Sequence, residues 1–435
     1  MNLEKLKTTT LIILIVISAV LTYFLWTFQP NYEQLHNLET VEKVTLADER
    51  PLNEVFVPIQ LFYHAEEEHK GMYNQNEFAP FYELLLDARF DNFATHSLNN
   101  QLNHLIAGNE SIQFVYADGI SMEVFHQLFD FSREKPVLSH VERIVLFEQE
   151  RGNRVKTFAW FVSNKTNSYI EAEIQNQTFQ AYKDLFEQRK ENFLDVEEIK
   201  LGSKRIPLFF PKKEMTVYKQ QAYPVPIPEL DLTRALFPDP SLVRESYQEE
   251  DVRSYTDGSR ELKLYLQAHY LTYINPTRRG EHSNFHEESP ILQTHRFINS
   301  HGGFTESFIF FGAAEQTENK TQVDYRLSFK GHPAFDARIT QMKVIWQERE
   351  VFEYERATET ISDSISIQDS ETVTLLSAEQ LLDVLKQSSL IHENEIDNIT
   401  LGYTASKYDD YIVFAPNWYI CFNGRWEVVL TEKDG

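Results

Sequence analysis

The residue types that could carry catalysis or bind a metal are few here, and their spacing argues mostly against both. His282 and His286 lie four residues apart and are followed by Glu287 and Glu288. On a helix the two imidazoles would share a face and, with a carboxylate, could hold zinc. Gly280 and Pro290 bracket this segment and Asn284 lies inside it, so a polar loop is expected instead. His286-Glu287 does not open an H-E-x-x-H pair, because residue 290 is proline. His64 and His69 flank Glu66, Glu67 and Glu68 in the same manner, and Gly71 beyond them reads as a turn. The single cysteine, Cys421, falls in an expected strand beside Trp418 and Phe422, the setting of a core residue rather than of an activated thiolate. Neither a G-x-S-x-G nucleophile elbow nor a G-x-x-x-x-G-K-[ST] phosphate cradle occurs. Among 66 acidic residues no spacing singles out a pair of carboxylates for glycoside hydrolysis. No catalytic residue, cofactor or metal ligand is therefore assigned.

The feature around which the rest must be arranged is apolar. Thr8 to Phe28 carries no charge and contains LIILIVISAV, enough for the roughly 20 residues of helix that a hydrocarbon layer requires. A transmembrane helix is expected over 8–28, after a cytoplasmic tail at 1–7. Lys5 and Lys7 precede it, whereas Glu33, Glu39 and Glu42 follow. Basic residues stay on the cytoplasmic side, which puts the long remainder outside. Tyr23, Trp26 and Phe28 sit at the exit end, where amphipathic rings settle at headgroup level. The rival, a cleavable signal peptide, would have a shorter apolar core followed by small residues. Ile17-Ser18-Ala19 is a poor version of such a site and lies inside the run. Ser18 and Thr22 are four apart, with Ala19 beside Ser18. They form the candidate partner face of this helix, small enough for close packing and able to hydrogen-bond across it.

Composition constrains the remainder of the chain. At 42% hydrophobic and 13% aromatic it can build real cores. Roughly 400 residues remain for folding, which corresponds to two to four domains. The formal net charge is −25, and removing the net +1 of Glu4, Lys5 and Lys7 leaves −26 for the rest. Such a surface repels phosphate backbones and anionic headgroups, so nucleic acid is excluded as a partner. One cysteine permits neither an intrachain disulfide nor a cysteine zinc cage.

Along the chain, Asn76 to His104 shows apolar residues at helical spacing in two blocks, and helices are expected there. Asp118-Gly119 between two alternating segments signals a hairpin, as does Arg151-Gly152-Asn153 between Val141–Phe147 and Val155–Val162. Helical spacing returns from Gln177 to Phe193, and periodicity breaks near Leu201 to Pro211. Pro224, Pro226 and Pro228 restrict their segment to an edge or connector. From about Val243 the order of elements repeats. A hairpin turning at Asp257-Gly258, a helix at Ile291–Asn299 and strands at Phe304–Gly312 and Val323–Lys330 form one copy. Strands at Met342–Glu355 and Ile365–Leu375, a helix begun by Ser377 and Gln380, and strands at Ile396–Thr404 and Tyr411–Phe414 form the other; Asn423-Gly424 then turns a last hairpin. The expected class is α+β. One N-terminal helix precedes ectodomain units at 31–205, 206–337 and 338–435, the last two being related antiparallel sheet-plus-helix domains.

A single span leaving the membrane as Trp26-Thr-Phe-Gln29-Pro30-Asn31-Tyr32, then an acidic, cysteine-poor ectodomain closing with Ala415-Pro416-Asn417-Trp418, resembles the YycH (WalH) family. The resemblance runs the length of the chain, and its sharpest motif is Trp-x-x-Gln-Pro-x-Tyr. It implies a non-enzymatic accessory regulator beside the WalK sensor kinase, acting with the related YycI protein in cell-wall homeostasis and using its membrane helix as a contact. No catalytic residues carry over. Two other classes stand beside it: an anchored envelope hydrolase acting on wall polymer, and a passive wall-binding module. For the latter a charge of −26 is unfavourable unless divalent ions bridge it to anionic polymer.

Overall fold

The computed structural model describes residues 3–27, 44–66, 68–132, 136–199, 206–276, 288–317, 320–347, 350–362, 365–366, 371–387 and 395–429. They belong to two units, 1–43 and 44–435. In the first, Leu3–Thr27 is a helix of 25 residues, about 37 Å long at 1.5 Å per residue. Leu11 to Ile17 keep between 49% and 60% of their surface exposed. Among the described residues no helix is both long and apolar enough to cross a membrane, so the span expected over 8–28 is not shown.

The second unit is mixed α and β, as expected. In its ten-stranded sheet, Gln60–Ala65, Ser111–Ile120, Val141–Glu150, Val155–Ser163 and Ser168–Ile174 lie side by side and antiparallel. Alternation sends Ile112, Phe114, Ile144, Leu146 and Phe161 into a core shared with the helices Gln75–Leu86, Met122–Leu128 and Phe179–Arg189. The other face sends Val115, Val145, Phe147 and Trp160 into a second core with the helix Ala378–Gln387 and with Trp418. Both faces of this sheet are thus covered.

The second large sheet joins distant segments. Tyr270–Ile274, Glu350–Ala357, Gln341–Gln347 and Lys320–Phe329 are neighbours in that order, all antiparallel. His332–Phe335 then pairs in parallel with Ile396–Lys407, which pairs with Ile412–Phe422. The helix Pro290–Ser300 contributes Ile291, Leu292 and Ile298 to the core against this sheet. Helices stand at Pro290–Ser300 and Ala378–Gln387, residues 367–370 of the strand expected over 365–375 lie outside the described residues, and strands from either side of 337/338 share one ladder. Leu208–Pro211, beyond the expected boundary at 205/206, pairs with Leu194–Ile199 of the first sheet.

Local turn chemistry mostly holds. Gly258 turns at φ +91°, Gly152 and Asn153 at +63°, and Asn423-Gly424 at +49° and +73°. Ser377 and Gln380 form a capping box: the Ser377 amide donates to Gln380 Oε1 at 2.9 Å, and the Gln380 amide to Ser377 Oγ at 3.5 Å. Ser377→Ala is expected to cost about 1 kcal/mol, read from the denaturant midpoint.

Two expectations are corrected. Asp118-Gly119 is not a turn but lies inside the strand Ser111–Ile120. Asp118 accepts from the Gly119 amide at 2.7 Å and from the Ala313 amide at 3.1 Å, on a strand far along the chain. Gly119 is required for space, since a Cβ there would lie 2.8 Å from the His140 Cβ. Within 76–104 the helices Gln75–Leu86 and Gln101–Gly108 are separated by the strand Arg89–Ser97. That strand exists because Ser168–Ile174 offers it an edge, which no local periodicity reports.

Candidate functional site

Ser18, Ala19 and Thr22 all lie on the helix Leu3–Thr27. At about 100° per residue, Ser18 and Thr22 stand about 40° apart around the axis. The Thr22 hydroxyl donates to the Ser18 carbonyl at 2.8 Å. Its proton is thereby used within the helix, and what Thr22 offers a neighbouring helix is an acceptor oxygen.

The histidine candidates separate. Residues 282–287 lie outside the described residues. His64 is not on a solvated loop: it is fully buried near the end of Gln60–Ala65, and the turn falls at Glu66, whose φ is +51°. Gly71 is not a turn either. It sits in the strand Glu68–Met72, where a Cβ would meet Val196 at 2.8 Å and the Phe62 ring at 2.9 Å. His64 Nε2 donates to Gln113 Oε1 at 3.2 Å, so its Nδ1, 3.0 Å from His69 Nδ1, accepts from that ring. Phe209 packs on both imidazoles, with centroids at 4.6 and 4.8 Å. Burial, then the neighbouring His69, pushes His64 down to about 3, and burial also lowers His69. This is a pair held neutral. Among the described residues no three His, Cys, Asp or Glu side chains are grouped to hold a metal. Cys421 is 7% exposed in Ile412–Phe422, opposite Trp426.

An attachment that the sequence did not signal is the one by which unit two begins. The Leu46 and Ala47 amides both donate to the Gly302 carbonyl, at 3.1 and 3.0 Å. Gly302 and Gly303 turn at φ +100° and +82°. Side chains are excluded there twice over, because a Cβ at Gly302 would lie 2.9 Å from Leu46 Cδ1 and one at Gly303 2.9 Å from the Ala47 carbonyl oxygen. Arg50 closes the strap. Its carbonyl accepts from His295 Nε2 at 2.8 Å and Asn299 Nδ2 at 2.9 Å, while its amide donates to Asn299 Oδ1 at 3.2 Å. Its guanidinium donates to the carbonyls of Phe308 at 2.6 Å, Glu306 at 3.3 Å and Glu54 at 2.8 Å. The strap of residues 44–51 is therefore fastened to the helix Pro290–Ser300 and the glycine turn after it. The adjacent glycines at 302 and 303 were the available sign, but they do not name their partner.

This arrangement, a helix at 3–27 followed by a unit of two large sheets, can be set beside known proteins. Residues 4–191 match the family model described as YycH protein, N-terminal domain, and residues 206–435 that described as YycH protein, C-terminal domain. The chain belongs to the YycH family. A curated member, the two-component system WalR/WalK regulatory protein YycH of Bacillus subtilis (strain 168), is 23% identical over 459 residues, covering 100% of this chain and 97% of that protein. The crystal structure of YycH from Bacillus subtilis superposes with a TM-score of 0.73 at 18% identity, covering 90% of this chain and 100% of that one. The YycH fold is thus shared across nearly the full length, and the family expected from the 26–32 motif is the family found.

Proposed function

We propose that this YycH-family chain is a non-enzymatic, membrane-anchored regulator of a WalK-like sensor kinase, acting with a YycI-like partner in cell-wall homeostasis. The observation that carries the reading is end-to-end similarity to a protein named for regulating WalR/WalK, covering 100% of this chain. The helix Leu3–Thr27 supports anchoring: side chains from Leu11 to Ile17 are apolar on every face and about half exposed, a surface suited to lipid or other helices rather than to water. Lys5 and Lys7 at its start favour a cytoplasmic N-terminus and an extracytoplasmic unit 44–435. The helix packs against kinase helices through Ser18, Ala19 and Thr22. It changes output only insofar as it binds two kinase arrangements unequally.

The test is kinase output in cells lacking the protein and complemented with full length, with residues 1–45, or with the ectodomain on an unrelated anchor. Restoration by 1–45 places regulation in the bilayer, and restoration by full length alone requires ectodomain contact. No change with any form overturns the reading. Ser18→Leu and Thr22→Leu are each expected to weaken co-purification with the kinase by about 1 kcal/mol, several-fold in affinity, with the ectodomain still folded. Unchanged recovery of the complex would remove this face from the mechanism.

A further inference from the structure

The helix Pro290–Ser300, which holds the strap on one side, lines a pocket on the other. The cavity, about 280 Å³, lies between this helix and the strands Tyr270–Ile274, Gln341–Gln347 and Glu350–Ala357. Gln293, Phe297 and His301 face into it. His295 and Asn299, which grip the Arg50 backbone, are about 200° around the helix from Gln293 and Phe297 respectively. His301 directly precedes Gly302, whose carbonyl takes the Leu46 and Ala47 amides. The pocket wall and the strap anchor are thus successive residues on one short rod.

The lining defines what would fit. Phe297, Tyr273 and Trp346 supply aromatic surface, and the indole is fixed by its Nε1 donating to Thr294 Oγ1 at 2.5 Å. One cation, Arg260, and one carboxylate, Glu350, also line the cavity. Asp257 holds the Arg260 guanidinium at 3.3 Å. Gln293 donates one amide hydrogen to the Glu288 carbonyl at 2.6 Å and keeps its Oε1 as an acceptor. An apolar body with a carboxylate toward Arg260 and an ammonium toward Glu350 and Gln293 matches the charge and apolar surface of this lining.

We propose that this pocket is an effector site for a small zwitterion with an apolar body, the size of an amino acid or dipeptide, and that its occupancy is transmitted through Pro290–Ser300 to the strap at residues 44–51. Binding and transmission rest on the geometry; only their consequence for a kinase rests on the proposed function.

The experiment uses the full chain in detergent, titrated with L-phenylalanine and with glycyl-L-phenylalanine. Tryptophan fluorescence reports binding, and hydrogen exchange reports the Leu46 and Ala47 amides. The expected result is saturation with Kd at or below about 1 mM for at least one probe. Arg260→Gln and Glu350→Gln should each weaken it about tenfold, as should the uncharged N-acetyl-L-phenylalanine amide. At saturation the two strap amides should exchange several-fold more slowly. Failure of both probes to saturate overturns the site. Full affinity in both charge variants overturns the ligand class, and unaltered exchange at 46 and 47 overturns the transmission. None of these readouts involves a kinase, so a failed complementation would leave them standing.

Discussion

Arg50→Ala is expected to lower the unfolding free energy by about 3 kcal/mol, the largest single-residue effect anticipated outside the aromatic cores. The guanidinium side chain is only 16% exposed and serves the carbonyls of Phe308, Glu306 and Glu54 together. Truncation leaves those acceptors without their charged donor, which costs more than the net value of the bonds themselves. Arg50→Lys should recover less than half of the loss, because a point ammonium cannot serve separate carbonyls as a planar fork does. Urea unfolding of the full chain, followed by near-ultraviolet circular dichroism, decides it. A midpoint unchanged by Arg50→Ala would mean that the strap is held without the guanidinium, by its backbone bonds to Gly302, His295 and Asn299.

Acid should destabilise the fold steeply. Burial holds His64 at about 3 and His332 at about 4, against about 6.5 for an unperturbed imidazole. Above pH 6.5 both are neutral in the native and unfolded states, and their stabilising contribution is complete. Below it the unfolded chain takes up protons that the native fold refuses, and each histidine loses about 1.4 kcal/mol per pH unit until its own folded value is reached. Between pH 6.5 and 4.5 the two together amount to roughly 5 kcal/mol. Burial lowers His69, His140 and His295 as well, in the same direction. Asp118, Glu142, Glu306 and Asp324 are raised by burial and oppose the trend, since they take a proton more readily in the folded state. The expected outcome is a falling thermal midpoint from pH 7 to 5. In His64→Gln, proton uptake on unfolding at pH 5 should fall by about one. A pH-independent midpoint, or an unaltered proton count in that variant, would contradict the assignment.

What the sequence made legible was local or familial. Asn423-Gly424, Asp257-Gly258 and the Ser377/Gln380 box each specify their geometry within four residues, and all three formed. The same logic failed at Asp118-Gly119, where the aspartate's partner is the Ala313 amide and the glycine's reason is His140. His64 looked solvated beside three glutamates, yet its neighbours are Gln113 and Phe209, brought in by other strands. Arg50 showed nothing in advance, because what it binds lies around residues 295–308. Ser18, Ala19 and Thr22 were readable as near neighbours on one helix, because a helix carries its pattern in sequence order. The strap and pocket were not, because tertiary pairing creates them.

The long reach of that pairing also bears on how the chain acquires its form. Gln220–Ala222 finds its neighbours in Ile412–Phe422 and Ile365–Ser366, and the Asn398 side chain donates to the Tyr116 carbonyl across a separation of 282 residues. High contact order slows folding, because loop-closure entropy is lost before the distant contacts repay it. The Ser111–Ile120 strand is made early, whereas Asn398, which serves the Tyr116 carbonyl, comes near the end of the chain, so its surroundings are completed late. Truncation before residue 396 should accordingly remove a large part of the ladder and expose Phe209, Phe210 and Trp160 of the second core, making such fragments substrates for proteases rather than smaller working versions of the protein.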